Sequence, residues 1–223
     1  MNGDRQLVLT LPQRQAQGRD DFLVSDCNSE AIGWIDRWPD WPLPGLVVCG
    51  PPGAGKTHLG AVWRAQSGAL EIKAESTAGA LEAVLGDESL SACFVDDADR
   101  ADQEGLFHLF NCVAARGGAL LIACAEPPAR WKRGLPDLIS RLKTLPVAEI
   151  TMPDDDMLRG VLIKMFADRQ VQVSPEVLSY ISVRMDRSFD AARHIVDRLD
   201  AQALSRHRAI TIPFVRDVFP EWS

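Results

Sequence analysis

LVVCGPPGAGKTH, residues 46–58, runs from four apolar residues through a glycine-rich turn into a Lys-Thr pair. The apolar run reads as a buried strand, and the residues after Thr57 read as a helix, so GxxxxGKT stands in the strand–turn–helix setting that gives the pattern meaning. Gly50, Gly53 and Gly55 leave room for backbone amides to wrap phosphate oxygens. Pro51, Pro52 and Ala54 complete the turn, and the following helix aims its positive end at the same place. Lys56 is placed to reach the outer phosphates, and Thr57 to hold Mg²⁺. His58, next in line, reads as a helix residue at the edge of this nucleotide site rather than a catalyst. The competing reading is a Gly/Pro turn with an exposed lysine, and the flanking strand and helix argue against it.

Working outward, short apolar runs alternate with helical patterns as far as residue 150. Strands are expected at 46–49, 69–73, 92–96, 119–124 and 147–150, the signature of a parallel sheet covered by helices on both faces. The third ends in Asp96 and Asp97. Asp96 sits where a carboxylate fixes Mg²⁺ through water, and Asp97 where a base orients attacking water. Two aspartates after an apolar run are weak evidence alone, and strong when paired with the upstream loop. Asp99 and Asp102 read as the continuation of a solvated turn.

Beyond Pro153 the strand signal stops, and amphipathic helices are expected over 154–170, 175–185 and 188 to about 205. Phe189, Ala192, Val196, Leu199 and Ala203 form one stripe at three- and four-residue spacing. A last element, TIPFVRDVF, places Pro213 where a first helical turn tolerates it. The expected organisation is a tail over 1–18, an α/β nucleotide-binding domain over 19–152 and a helical lid over 153–223.

With 46% hydrophobic residues the 223-residue chain has ample material for a core. Its 24 Lys plus Arg face 31 Asp plus Glu, a net charge of -7. That balance argues against gripping nucleic acid as the surface's main task, without excluding a local basic patch. Cys27, Cys49, Cys93, Cys112 and Cys124 form no CxxC pair and read as small buried hydrophobes in a reducing compartment. No apolar stretch approaches a membrane span, and no signal-peptide core is present, so a soluble, cytoplasmic protein is expected. His108, His194 and His207 lack metal-ligand spacing. Trp34, Trp38 and Trp41 read as packing against the edge of the α/β domain.

The order of the glycine-rich loop, VDD, LLIACAEPPARW, GLPDLISRL and a helical lid resembles the AAA+ ATPases of the bacterial DnaA clade. RDDFLVSDCNSEAIGWI is similar to the segment before the phosphate loop in that clade, and ITIPFVRDVF resembles the end of the Hda family of DnaA-homologous regulators. The likeness covers about residues 19–219. It implies an AAA+ αβα fold with a helical lid, bound ADP or ATP with Mg²⁺, and an ADP form that is the active one. Only Glu221, Trp222 and Ser223 follow the last expected element, leaving no room for the helix-turn-helix reader that follows the DnaA lid, so no sequence-specific DNA binding is expected. The resemblance further implies docking on the DNA polymerase III β sliding clamp through QLVLTLP. There Gln6, Leu7, Leu9 and Leu11 match the clamp-binding pattern, with alternate side chains of an extended peptide entering apolar pockets. The bland alternative is an edge strand packed on the chain's own sheet. Arg141 matches the arginine that reaches a neighbouring subunit's nucleotide, a finger whose target here is ATP held by DnaA; the alternative is a helix ion pair with Asp137. A homo-oligomer remains open.

Two positions depart from the pattern. Ala125 stands where strand four ends in a polar sensor, and Asp190 where the lid carries an arginine. Arg193, one turn later, is a substitute for it, with Arg187 nearby and a plain Arg193–Asp197 helix pair as the alternative. Slow intrinsic ATP turnover is therefore expected. The rival readings are a helicase-loader AAA+ module acting on single-stranded DNA, a small-molecule kinase, and a nucleotide-binding scaffold without hydrolysis.

Overall fold

The computed structural model describes residues 23–87, 90–132 and 134–222. Fourteen principal elements follow one another. They are α1 (Ser29–Asp36), β1 (Gly45–Cys49), α2 (Lys56–Ser67), β2 (Leu70–Lys73), α3 (Thr77–Gly86), β3 (Ala92–Asp96) and α4 (Gln103–Ala115). After these come β4 (Ala119–Cys124), α5 (Pro136–Leu142), β5 (Val147–Glu149), α6 (Asp155–Asp168), α7 (Pro175–Ser182), α8 (Phe189–Arg206) and α9 (Ile212–Val218).

The five strands form one parallel sheet in the order β2-β3-β4-β1-β5. Side-chain alternation decides which helix each strand meets. Leu46 and Val48 of β1 join Phe94 and Leu121 in a core closed by Ile32 and Ile35 of α1 and Leu59, Val62 and Trp63 of α2. Val47 and Cys49 point the other way, joining Val95 and Ile122 under Val84 of α3, Leu106 and Leu109 of α4, and Leu138 and Leu142 of α5. Both faces are covered, so β1 and β4 are buried along their whole length, which is why they read as unbroken apolar runs.

The helices after β5 bury a separate core, with Leu158, Leu162, Phe166, Ile181, Val196, Leu199 and Phe214 at its centre. Phe189 and Ala203 of the expected α8 stripe are only partly buried beside it. The chain returns to the glycine-rich loop at the start of α8, where the Phe189 backbone N–H donates to the Gly53 carbonyl at 3.1 Å. Helix α7 stops at Ser182, three residues short of the expected end.

Strand edges agree with the sequence expectation to within one residue. Gln6, Leu7, Leu9 and Leu11, and with them the 1–18 tail, lie outside the described residues. Trp34, Trp38 and Trp41 pack against the core that contains Trp63, and the Trp41 indole N–H donates to the Trp34 carbonyl at 2.7 Å.

Candidate nucleotide site

The site forms where β1, β3 and β4 end on the same edge of the sheet, the place where open parallel sheets hold ligands. Gly50 follows β1, and the loop turns on Gly53 and Gly55, whose φ angles are 77° and 98°. Only glycine adopts such angles without strain. Space is equally tight: a Cβ on Gly53 would lie 2.6 Å from the Ser188 Cβ, and one on Gly55 3.0 Å from the Phe189 ring. The loop is therefore roofed by the first turn of α8. Ser188 caps that helix, its hydroxyl accepting from the Ala191 N–H at 3.1 Å.

Lys56 opens α2 and is buried. Its ammonium donates to the Gly50 and Pro51 carbonyls at 2.8 and 3.0 Å, which places the charge at the mouth of the loop. The Thr57 hydroxyl donates to Asp96 Oδ2 at 2.7 Å, so the residues expected to share Mg²⁺ are neighbours across 39 positions of sequence. Burial pushes the Asp96 carboxyl above the ordinary aspartate value, partly offset by the Thr57 hydroxyl. Asp97 is exposed and left-handed, with φ 48° and ψ 41°, its backbone N–H donating to Asp96 Oδ1 at 3.1 Å.

Hydroxyl and carboxylate oxygens are the hard donors that Mg²⁺ takes, and this cation commonly completes its shell with substrate phosphates and water. Among the described residues no cluster of three or more His, Cys, Asp or Glu could hold a metal unaided. Thr57 and Asp96 beside a phosphate loop fit Mg²⁺ that arrives with a nucleotide.

Asp99 and Asp102 do more than extend a turn. Asp102 caps α4, accepting from the Gly105 N–H at 2.7 Å. Asp99 crosses to β4, where Oδ1 accepts from the Ala125 N–H at 3.3 Å. A carboxylate therefore stands beside the position that lacks a polar side chain. No local signal marks this, because it depends on the one-turn helix at Ala98–Arg100 and on β3 lying next to β4.

The arginines separate. Arg187 pairs with Asp155 of α6 at 2.9 Å, tying it to the lid surface. Asp197 and Asp200 are both taken by Arg169, so the Arg193–Asp197 pair does not form, and Arg193 on α8 stays half-buried without an acidic partner among the described residues. Asp190 is exposed in the first turn of α8. His58 lies in the first turn of α2, as expected of a helix residue. Arg141 is exposed near the end of α5. It makes no ion pair with Asp137, and its guanidinium instead lies 5.6 Å from the centroid of the Phe107 ring of α4. Phe107 packs on the core, and the Thr144 hydroxyl donates to the Arg141 backbone carbonyl at 2.7 Å.

This sheet order, loop and helical cap define an AAA+ module. The Hda lid domain family matches residues 154–219. Domain III of the Thermotoga maritima replication initiation protein DnaA superposes with a TM-score of 0.82 at 19% identity, covering 95% of this chain and 99% of that one. AMPPCP-bound DnaA from Aquifex aeolicus gives 0.68 at 18% identity, covering 84% and 66%. The Thermotoga maritima RuvB Holliday junction branch migration motor gives 0.69 at 16%, covering 92% and 71%. The chain therefore has the AAA+ fold seen in DnaA domain III, and its lid matches the Hda lid domain family.

Proposed function

We propose that this protein is a nucleotide-bound negative regulator of replication initiation that stimulates hydrolysis of ATP held by DnaA. The observation that carries the reading is Arg141: exposed, free of any acidic partner among the described residues, and propped on Phe107 instead of lying along its own helix. A guanidinium offered to the γ-phosphate in a neighbouring molecule neutralises charge that grows in the transition state, and such fingers contribute roughly 10³ to 10⁵ in rate. Water attacks the γ-phosphorus, the bond to the β–γ bridging oxygen breaks, and ADP and phosphate leave.

On this reading ADP or ATP with Mg²⁺ occupies the loop of residues 50–57, with Thr57 and Asp96 at the cation and Arg193 the lid cation nearest the role of the displaced sensor. Nucleotide binding is supported by the loop geometry and by the AMPPCP-bound relative. Asp97 is the candidate base for the chain's own hydrolysis. With Ala125 and Asp190 at the sensor positions that hydrolysis is slow, and the bound nucleotide acts chiefly as a switch. Gln6, Leu7, Leu9 and Leu11 dock on the β sliding clamp, which gathers several copies near DNA and raises their effective concentration.

The test mixes the protein with DNA-loaded clamp and ATP-bound DnaA and follows hydrolysis. Wild type stimulates, whereas Arg141→Ala and a chain lacking residues 1–12 do not; equal rates in all three reject the proposal. Binding to a replicative helicase in place of the clamp would favour a helicase-loader role.

A further inference from the structure

Three of the lid's arginines meet acids: Arg159 meets Asp156 at 3.9 Å, Arg169 takes Asp197 and Asp200, and Arg187 takes Asp155, whereas the half-buried Arg193 near the start of α8 meets none among the described residues. Around α9 the pattern reverses. Arg184, Arg198, Arg206 and Arg216 are all exposed, and none has an acidic partner among the described residues. Arg208 beside them shares Asp217 at 3.5 Å.

These side chains are held in place by rings. Arg184 and Arg216 lie 3.7 and 5.4 Å from the Tyr180 centroid, Arg198 lies 4.5 Å from Phe219, and Arg206 lies 5.8 Å from Phe214. Arg184, Arg198 and Arg216 each donate one further hydrogen bond, to the Tyr180 carbonyl, the Val218 carbonyl and the Tyr180 hydroxyl. A guanidinium has five N–H donors, so most of them remain directed outward from a flat, pre-organised cation. Exposed guanidinium groups without acidic partners run against the balance of a chain of net charge -7, and a polyanion is the partner whose charge complements them.

We infer that the face around α9, carried by Arg184, Arg198, Arg206 and Arg216, binds the phosphate backbone of double-stranded DNA without reading its sequence. The duplex is favoured over a single strand because the rings beneath the arginines are buried: Tyr180, Phe214 and Phe219 are 8%, 0% and 3% exposed. These three cannot act as stacking platforms for unpaired bases, which single-strand binders offer, and the half-buried Trp222 already has one face stacked on Phe219. Phosphate contacts made by arginine carry no base information. The surface is separate from Arg141 and from the nucleotide loop, so it stands or falls independently of the proposed stimulation of DnaA.

The experiment is fluorescence anisotropy of the full-length protein with a short labelled duplex of random sequence, titrated across a salt series. Four phosphate contacts give a log–log slope of about -3.6, a loss of roughly two orders of magnitude in affinity between about 50 and 200 mM salt. Arg206→Gln removes a side chain with no other hydrogen bond described, and should flatten the slope by about 0.9; the triple Gln variant at 198, 206 and 216 should reduce it to about -1. Arg159→Gln, which loses only a paired charge, should bind like wild type. Absence of wild-type binding at low salt overturns the inference, as does a triple variant that melts like wild type and keeps its slope. Displacement of the duplex by poly-glutamate at equal charge concentration also overturns it, pointing to an acidic protein as the partner.

Discussion

At the scale of single residues, position and burial set the chemistry. Burial pushes the Cys49 and Cys93 thiols up to about 11 and Cys124 higher still. Thiolate is the reactive form, so a raised value keeps these groups inert until the solution is strongly alkaline. With Cys27 also buried and Cys112 half-exposed, an aromatic disulfide reagent at pH 8 should titrate one thiol quickly in the native protein and all five after unfolding. More than one fast thiol would contradict the packing described. Gly53→Ala carries two penalties, a φ of 77° that alanine resists and a Cβ pressed against Ser188. It should weaken nucleotide binding and lower the melting temperature, both measurable on one sample. The same scale shows why some partners were illegible in the sequence. Four-residue spacing suggested Arg193 with Asp197 and Asp137 with Arg141, yet Arg169 reaches Asp197 from 28 residues away, and Phe107 takes Arg141. Helical spacing proposes neighbours, and tertiary packing chooses among them.

At the scale of elements, β1 and β4 were legible because both faces of the sheet are covered and no polar position interrupts them. The loop after β1 was legible because its chemistry demands particular residues at fixed offsets. The roof over that loop was not, since it depends on the start of α8 returning to it. Ser188 caps α8 at this contact, so Ser188→Ala should cost about 0.5–2 kcal/mol of stability. It should also loosen nucleotide binding, readable as a higher Kd by calorimetry, whereas an effect on melting alone would separate the cap from the site. Helix α4 supplies the ring under Arg141, and a ring–guanidinium contact at an exposed site contributes about 0.5–1 kcal/mol. Phe107→Leu keeps an apolar side chain on the core and removes the ring, so stimulated hydrolysis in DnaA should fall by about two- to five-fold, and Phe107→Tyr should retain it. Unchanged rates for Phe107→Leu would show that Arg141 needs no such support.

For the whole molecule, formal charge conceals an uneven arrangement. The total of -7 predicts little affinity for phosphates, but it averages lid arginines that meet aspartates with others that meet none among the described residues. Composition reports the sum, and only the fold reports the pairing. Slow hydrolysis by the isolated protein is likewise an expectation about the assembled site, resting on Ala125 and Asp190 at the proposed sensor positions and on Arg187 pairing with Asp155. A single-turnover assay with rapid ATP consumption would contradict it. Three of the six tryptophans, Trp38, Trp41 and Trp63, have also come together, with Trp41 and Trp63 stacked 5.3 Å apart at 10° and Trp38 edge-on to both. Trp63 belongs to the helix that begins at Lys56. Indoles this close couple their electronic transitions, so the protein carries a built-in optical gauge: filling the phosphate loop should alter its near-ultraviolet circular dichroism, and occupancy can be followed in unlabelled protein.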